Sequence, residues 1–179
     1  VTVIEFPEDI AKEDINDEPI KPSLIRRPAA DNRAIEAALD LIIESKNPII
    51  LAGNGTIRKR ASNRLRALVD NLGIGVINTF MGKGSVSFED KHSLFTIGLG
   101  SGDYNNLAID ESDLVIAIGY DLVEYSPSAW NRIEGGNKKI IHIDYTPAEV
   151  DRDYLPNVEI ISDLAGALYQ LNKALLNRL

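Results

Sequence analysis

The chain has 179 residues, the size of one domain with a tail, and its 44% apolar and 26% charged residues exclude disordered, collagen-like and low-complexity classes. The net charge of −8 is concentrated at the start. Residues 1–20 carry seven acids and one base, and the other 159 carry twenty acids and eighteen bases, so there is no dense basic tract of the kind nucleic acid requires. No apolar run approaches the ~18 residues of a membrane-spanning helix, and no signal peptide is visible. The absence of an initiator Met fits a piece trimmed from a longer polypeptide. Cysteine is absent, which removes disulfides, zinc–thiolate sites and cysteine nucleophiles and agrees with a cytoplasmic location.

Residues 1–6 read as a short strand, and residues 7–28, with four prolines among many charges, as an extended linker. A strand followed by a linker suits the end of a preceding domain. From residue 29 an α/β pattern is expected. Asp31 is placed to N-cap a helix whose inner face is Ile35, Leu39, Ile42 and Ile43. The apolar run Ile49-Ile50-Leu51-Ala52 follows and ends at Gly53-Asn54-Gly55. A second helix carries Leu65, Leu68, Val69 and Leu72 and stops at Gly73, and Ile74–Ile77 is a short strand. Residues 78–102 are glycine-rich, and a short helix is expected over Asp103–Ile109. Strands are expected at Asp113–Ile118, Ile140–Ile143 and Val158–Ile161. Thr146-Pro147-Ala148-Glu149 reads as a capping box opening a helix, and a last helix turns Leu164, Leu168, Leu171 and Leu175 inward. Continuous apolar strands alternating with helices predict an α/β fold, a doubly wound parallel sheet flanked by helices.

In such a sheet ligands bind beyond the carboxyl ends of the strands. Gly53-Asn54-Gly55 before a helix is a candidate phosphate loop, because glycine lets backbone N–H groups approach an anion. The alternative is a tight strand-to-helix turn that needs positive φ. Asp144 at a strand end suits ribose hydroxyls, or else a local turn. His142 reads as a hydrogen-bonded core or sheet-edge residue and His92 as solvated, with no second ligand spaced for a metal. Asp121, Glu124 and Tyr125 follow a strand end and are placed to line a pocket, and Trp130 is either a plug or an interface anchor. No catalytic machinery is visible.

Four segments, Asn47-Pro-Ile-Ile-Leu-Ala-Gly-Asn-Gly55, Thr79-Phe-Met-Gly-Lys-Gly84, Ser112-Asp-Leu-Val-Ile-Ala-Ile-Gly119 and Ile140-Ile-His-Ile-Asp144, resemble in order and spacing the central, Rossmann-like domain of thiamine-diphosphate enzymes, in particular the acetolactate synthase large subunit. Residues 1–10 resemble the last strand of that family's preceding pyrimidine-binding domain. The resemblance divides the chain into 1–28, an end piece with linker, and 29–179, the central domain.

It implies a homo-oligomeric enzyme that decarboxylates pyruvate on thiamine diphosphate and Mg²⁺ and joins the two-carbon fragment to a second 2-oxo acid. The cofactor-activating glutamate lies in the domain before this one and the diphosphate–Mg²⁺ motif in the domain after it, so this segment has no catalytic residues and its partners are the flanking domains of its own chain. In FAD-binding members the flavin contacts would fall on Gly53, Asn54 and Gly55, Thr79 and Met81, Gly98, Gly119 and Asp144. Such members carry an Arg-Phe-Asp-Asp type segment after the fourth glycine. Here Gly119-Tyr120-Asp121-Leu122-Val123-Glu124-Tyr125 lacks the Arg and places Glu124 near the diphosphate, which resembles the catabolic, FAD-independent branch. The other reading is an FAD-, ADP- or NAD-binding domain of another thiamine enzyme, or a stand-alone module.

Overall fold

The computed structural model describes residues 3–23, 27–58, 60–98, 104–131 and 138–178. Six strands, β1 (Pro48–Ala52), β2 (Gly75–Asn78), β3 (Ser93–Thr96), β4 (Leu114–Ile118), β5 (Lys139–Asp144) and β6 (Val158–Ile161), form one sheet in the order β3-β2-β1-β4-β5-β6. Every pairing is parallel. The expected doubly wound sheet is therefore present, and the strand order reverses between β1 and β4, which is where ligands settle in such sheets.

Both faces are covered. On one face α2 (Asn32–Glu44), α4 (Ser62–Leu72) and α7 (Leu164–Arg178) bury Ile35, Leu39, Leu65, Leu68, Leu168 and Leu171 against Ile50, Ile116 and Ile141. On the other, Ile109 of α5 (Tyr104–Glu111), Trp130 of the one-turn α6 (Pro127–Trp130), and Tyr120 and Tyr154 of connecting segments pack against Ile49, Leu51, Val115 and Ile140. Alternate residues of each strand feed alternate faces, so a strand with two covered faces must be apolar throughout. Gly73 ends α4 at φ 67°, as its position after the last apolar residue predicts. Asp113 ties the α2–β1 turn to β4. Slight burial opposes its charge, but donation from the Ser45 hydroxyl and the N–H groups of Lys46 and Asn47 outweighs that and holds its carboxyl below the usual range.

Several expectations change. Residues 3–6 form no strand and lie exposed, and the linker contains one helical turn, α1 (Glu8–Ala11). A strand needs a neighbour for its backbone hydrogen bonds, and these residues have none among the described residues. Asp31 is the N-cap of α2 by position but makes no side-chain capping bond. The helix after Gly55 is two helices, α3 (Asn54–Arg58) and α4, separated at Arg60, whose φ is 54°. The glycine-rich stretch contains β3, whose exposed Phe95 hides the apolar signal of an edge strand. Residues 146–149 open no helix, because the Ala148 N–H donates to Glu159 of β6 at 2.8 Å and the segment runs extended toward Tyr154. Gly100, Gly102 and Asp103 lie outside the described residues.

Candidate functional site

The crevice at the β1–β4 switch point is closed by backbone. The Gly53 N–H donates to Ile118 O at 2.9 Å and the Gly55 N–H to Gly119 O at 2.8 Å. A Cβ on Gly53 would stand 2.4 Å from Gly119 O, and one on Gly55 2.6 Å from Gly119 Cα. Close approach, rather than positive φ, is what requires glycine at 53 and 55. The positive φ belongs to Gly119, at 58°, and to Gly98, at 102°. The glycine-rich signal thus marks a three-glycine contact between two strand ends.

Glu124 sits over this contact. Its carboxylate accepts the Asn54 N–H at 2.9 and 3.1 Å, the Asp121 N–H at 3.3 Å and the hydroxyl of Thr79, which is fully buried. Thr79 in turn accepts the Gly82 N–H at 3.0 Å, so one carboxylate joins the loops after β1, β2 and β4. Gly98 approaches the same loop, where its Cβ would lie 3.3 Å from the Tyr125 ring. Of the residues singled out in the sequence, Gly53, Asn54, Gly55, Thr79 and Gly119 converge here. Met81 lies beyond them, half exposed at the loop tip.

Asp144 belongs to a second place, a cavity of about 220 Å³ beyond β4 and β5, lined also by Tyr120, Asp121, His142, Glu149 and Tyr154. The Tyr145 N–H donates to Asp144 Oδ1 at 2.5 Å. The wall of this cavity is an aromatic cluster. Trp130 Nε1–H donates to the Tyr120 hydroxyl at 3.0 Å, which donates to Tyr125 O. His142 Nε2 lies 3.1 Å from Thr146 O and Nδ1 2.9 Å from the Tyr154 hydroxyl. A carbonyl only accepts, so Nε2 carries the proton and the Tyr154 hydroxyl donates to Nδ1. Burial pushes both phenols well above their ordinary range; nearby Glu124 and Asp121 add to this for Tyr120, and Asp144 and Glu159 for Tyr154.

His142 is therefore a core residue of β5, and Trp130, 1% exposed, is a plug. His92 is not solvated: its side chain is 14% exposed and its Nδ1 lies 3.4 Å from Asp90. The sequence did not show the His142–Tyr154 pair, because Tyr154 arrives on an irregular segment with no periodicity. Among the described residues, no group of three or more His, Cys, Asp or Glu side chains is gathered to hold a metal.

Residues 35–171 match the family profile described as "Thiamine pyrophosphate enzyme, central domain". The chain belongs to this family. It is 32% identical over 168 residues to an acetolactate synthase of Bacillus subtilis (strain 168), covering 92% of this chain and 29% of that protein. It is 34% identical over 158 residues to a chloroplastic acetolactate synthase of Arabidopsis thaliana, covering 87% and 23%. An X-ray structure of an enzyme isolated from Mycobacterium smegmatis and assigned as thiamin diphosphate-dependent superposes with a TM-score of 0.69 over 85% of this chain and 29% of that one, at 18% identity. The chain thus spans less than a third of the length of these relatives. In this thiamine pyrophosphate enzyme central domain the switch-point crevice is occupied by the chain's own glycines and by Glu124. No helix among the described residues is long and apolar enough to cross a membrane.

Proposed function

We propose that this chain serves as the non-catalytic central domain of a thiamine-diphosphate-dependent enzyme of the acetolactate synthase type. The whole enzyme decarboxylates pyruvate and transfers the two-carbon unit to a second 2-oxo acid in the cytoplasm. Thiamine diphosphate and Mg²⁺ are held by the flanking domains of the same chain, in a homo-oligomer, and this domain supplies a rigid wall between them. The observation that carries the reading is the match of residues 35–171 to the family's central domain, together with acetolactate synthase relatives three times this chain's length. The Gly-Asp-Gly motif does not occur in this sequence.

The same reading makes the domain independent of FAD. A dinucleotide diphosphate at the β1 turn would need the Asn54 N–H and the Thr79 hydroxyl, and Glu124 already engages both. A second anion beside a part-buried carboxylate is repelled, so the residues present do not fit a flavin dinucleotide at Gly53, Asn54, Gly55, Thr79 and Gly119. The closed glycine contact argues likewise against a stand-alone nucleotide-binding module.

Two measurements test this. Sequencing the native reading frame on both sides should reveal an upstream domain with the cofactor-activating glutamate and a downstream Gly-Asp-Gly…Asn motif. A start just before Val1 with a stop just after Leu179 would overturn the enzyme reading. Titration of the purified chain into FAD should leave flavin fluorescence unchanged, and saturable micromolar quenching would overturn the FAD-independent reading.

A further inference from the structure

Away from the switch point, a groove of about 670 Å³ opens between α4 and the loops flanking β2 and β3. Its volume falls in the range of small-molecule sites. Its chemistry differs from the rest of a chain whose net charge is −8. Arg66 of α4 and Lys83 of the β2–β3 loop line it, and no Asp or Glu does. Among the described residues the Arg66 guanidinium donates to Asn63 alone, and neither cation forms an ion pair. Two unneutralised cations on one concave surface favour an anion.

A polar side chain of the groove points the same way. Asn78, at the end of β2, is 3% exposed and lines the groove. Its Oδ1 accepts the Ser85 hydroxyl at 2.5 Å, and its amide NH₂ has no partner among the described residues. Asn78 lines the groove, so its NH₂ adds a hydrogen-bond donor beside the two cations there.

The rest of the lining is apolar. Val86 forms the floor at 2% exposure, and Phe88 and Phe95 stand at the mouth, 70% and 60% exposed. Phe95 has φ 64°, where the β2–β3 register shifts, a conformation that a bulky side chain rarely adopts. Backbone of this kind persists where the surroundings impose it, and it gathers at ligand sites.

We propose that this groove binds a small amphipathic anion, with a carboxylate- or phosphate-class head on Arg66, Lys83 and the Asn78 amide and an aromatic or aliphatic body against Val86, Phe88 and Phe95. The site is separate from the Glu124 crevice and stands independently of the reaction the longer enzyme runs.

Two probes of nearly the same body separate the head from the apolar contact: anilinonaphthalene sulfonate, which is anionic, and N-phenylnaphthylamine, which is neutral. The full chain should bind the sulfonate saturably at one site, with native near-ultraviolet circular dichroism retained. The double variant Arg66→Glu/Lys83→Glu should weaken sulfonate binding by about tenfold or more and leave the neutral probe unchanged. Asn78→Asp, which keeps the bond from Ser85 and adds a negative charge, should do the same. Phe88→Ala should weaken both probes. These three side chains at 66, 83 and 88 are exposed, so the variants keep the fold, and unchanged thermal midpoints check this. Sulfonate binding that survives charge reversal, or equal affinity for the two probes in the native chain, would overturn the proposal.

Discussion

The strand ends on either side of β1 are finished in opposite ways. Beyond β4 and β5 the chain closes on itself: Trp130 packs edge to face on Tyr120 and Tyr154, those two rings tilt against each other, the centroids lie 5.6–6.2 Å apart, and their polar atoms find protein partners. The small cavity that remains is lined by the carboxylates of Asp121, Asp144 and Glu149 and by no Lys or Arg. Beyond β2 and β3 the surface stays open: Phe80, Met81, Phe88 and Phe95 are more than half exposed, and the charged side chains that line the groove, Arg66 and Lys83, are positive. Glu124 lies at the boundary and holds the two sides together through Asn54 and Thr79. The difference separates stability from binding. Side chains on the closed side carry much of the fold, and those on the open side are free to meet something else.

The largest break in that contrast is expected from Trp130→Ala, which empties a fully buried position on the closed side. It should cost about 3–5 kcal/mol, read from urea unfolding. Gly55→Val forces a side chain into the Gly119 backbone and should cost about 3 kcal/mol with no ligand present. An unchanged unfolding midpoint would remove the three-glycine contact as a structural element. Glu124→Ala leaves a backbone N–H and a buried hydroxyl without an acceptor and should cost about 2 kcal/mol. Amide exchange should accelerate at Asn54 and in the loop 79–82 more than elsewhere.

Alkaline pH tests the same side more gently. The folded-state pKa values of Tyr120 and Tyr154 are raised, while unfolded tyrosine titrates near 10, so above about pH 10 the unfolded chain releases protons that the folded one holds. Stability is therefore intact below that pH and falls as pH rises through it. Tyr154→Phe should flatten the decline, at some cost near neutral pH from the lost His142 bond. The smallest effect belongs to the open side. Lys83→Glu and Phe88→Ala should shift stability by no more than about 0.5 kcal/mol. A larger loss would mean that the groove is part of the core after all.

How much was legible follows from where each signal resides. The doubly wound sheet was readable because Ile49 to Ala52 and Leu114 to Ile118 are apolar on both faces, which only a covered parallel strand needs. The inward faces of α4 and α7 followed from spacing, and that of α2 in part: Ile35, Leu39 and Ile42 are buried, but Ile43, expected beside them, turns outward and is 56% exposed. β3 was not readable, since a four-residue edge strand with an exposed Phe95 has neither alternation nor a continuous apolar run. The supposed capping box at 146–149 failed because Glu159, thirteen residues after Thr146, takes the backbone donor that a helix start would have used. Among site residues, the glycines and Glu124 were visible as chemistry, but their roles were not. Gly53 and Gly55 read as a phosphate turn until their distance to Gly119 identified a backbone contact.

By itself, the sequence determined the fold class and the family's central domain, because periodicity, glycine placement and motif order are local properties carried along the chain. Only the tertiary structure decided what occupies the crevice. Glu124 and Asn54 are seventy residues apart, Asn78 and Ser85 turn one amide toward an open groove, and Tyr154 reaches His142 from an irregular segment. Those partnerships depend on which strand ends the parallel sheet sets side by side, and a partner that folding delivers from afar leaves no pattern in the residues next to it.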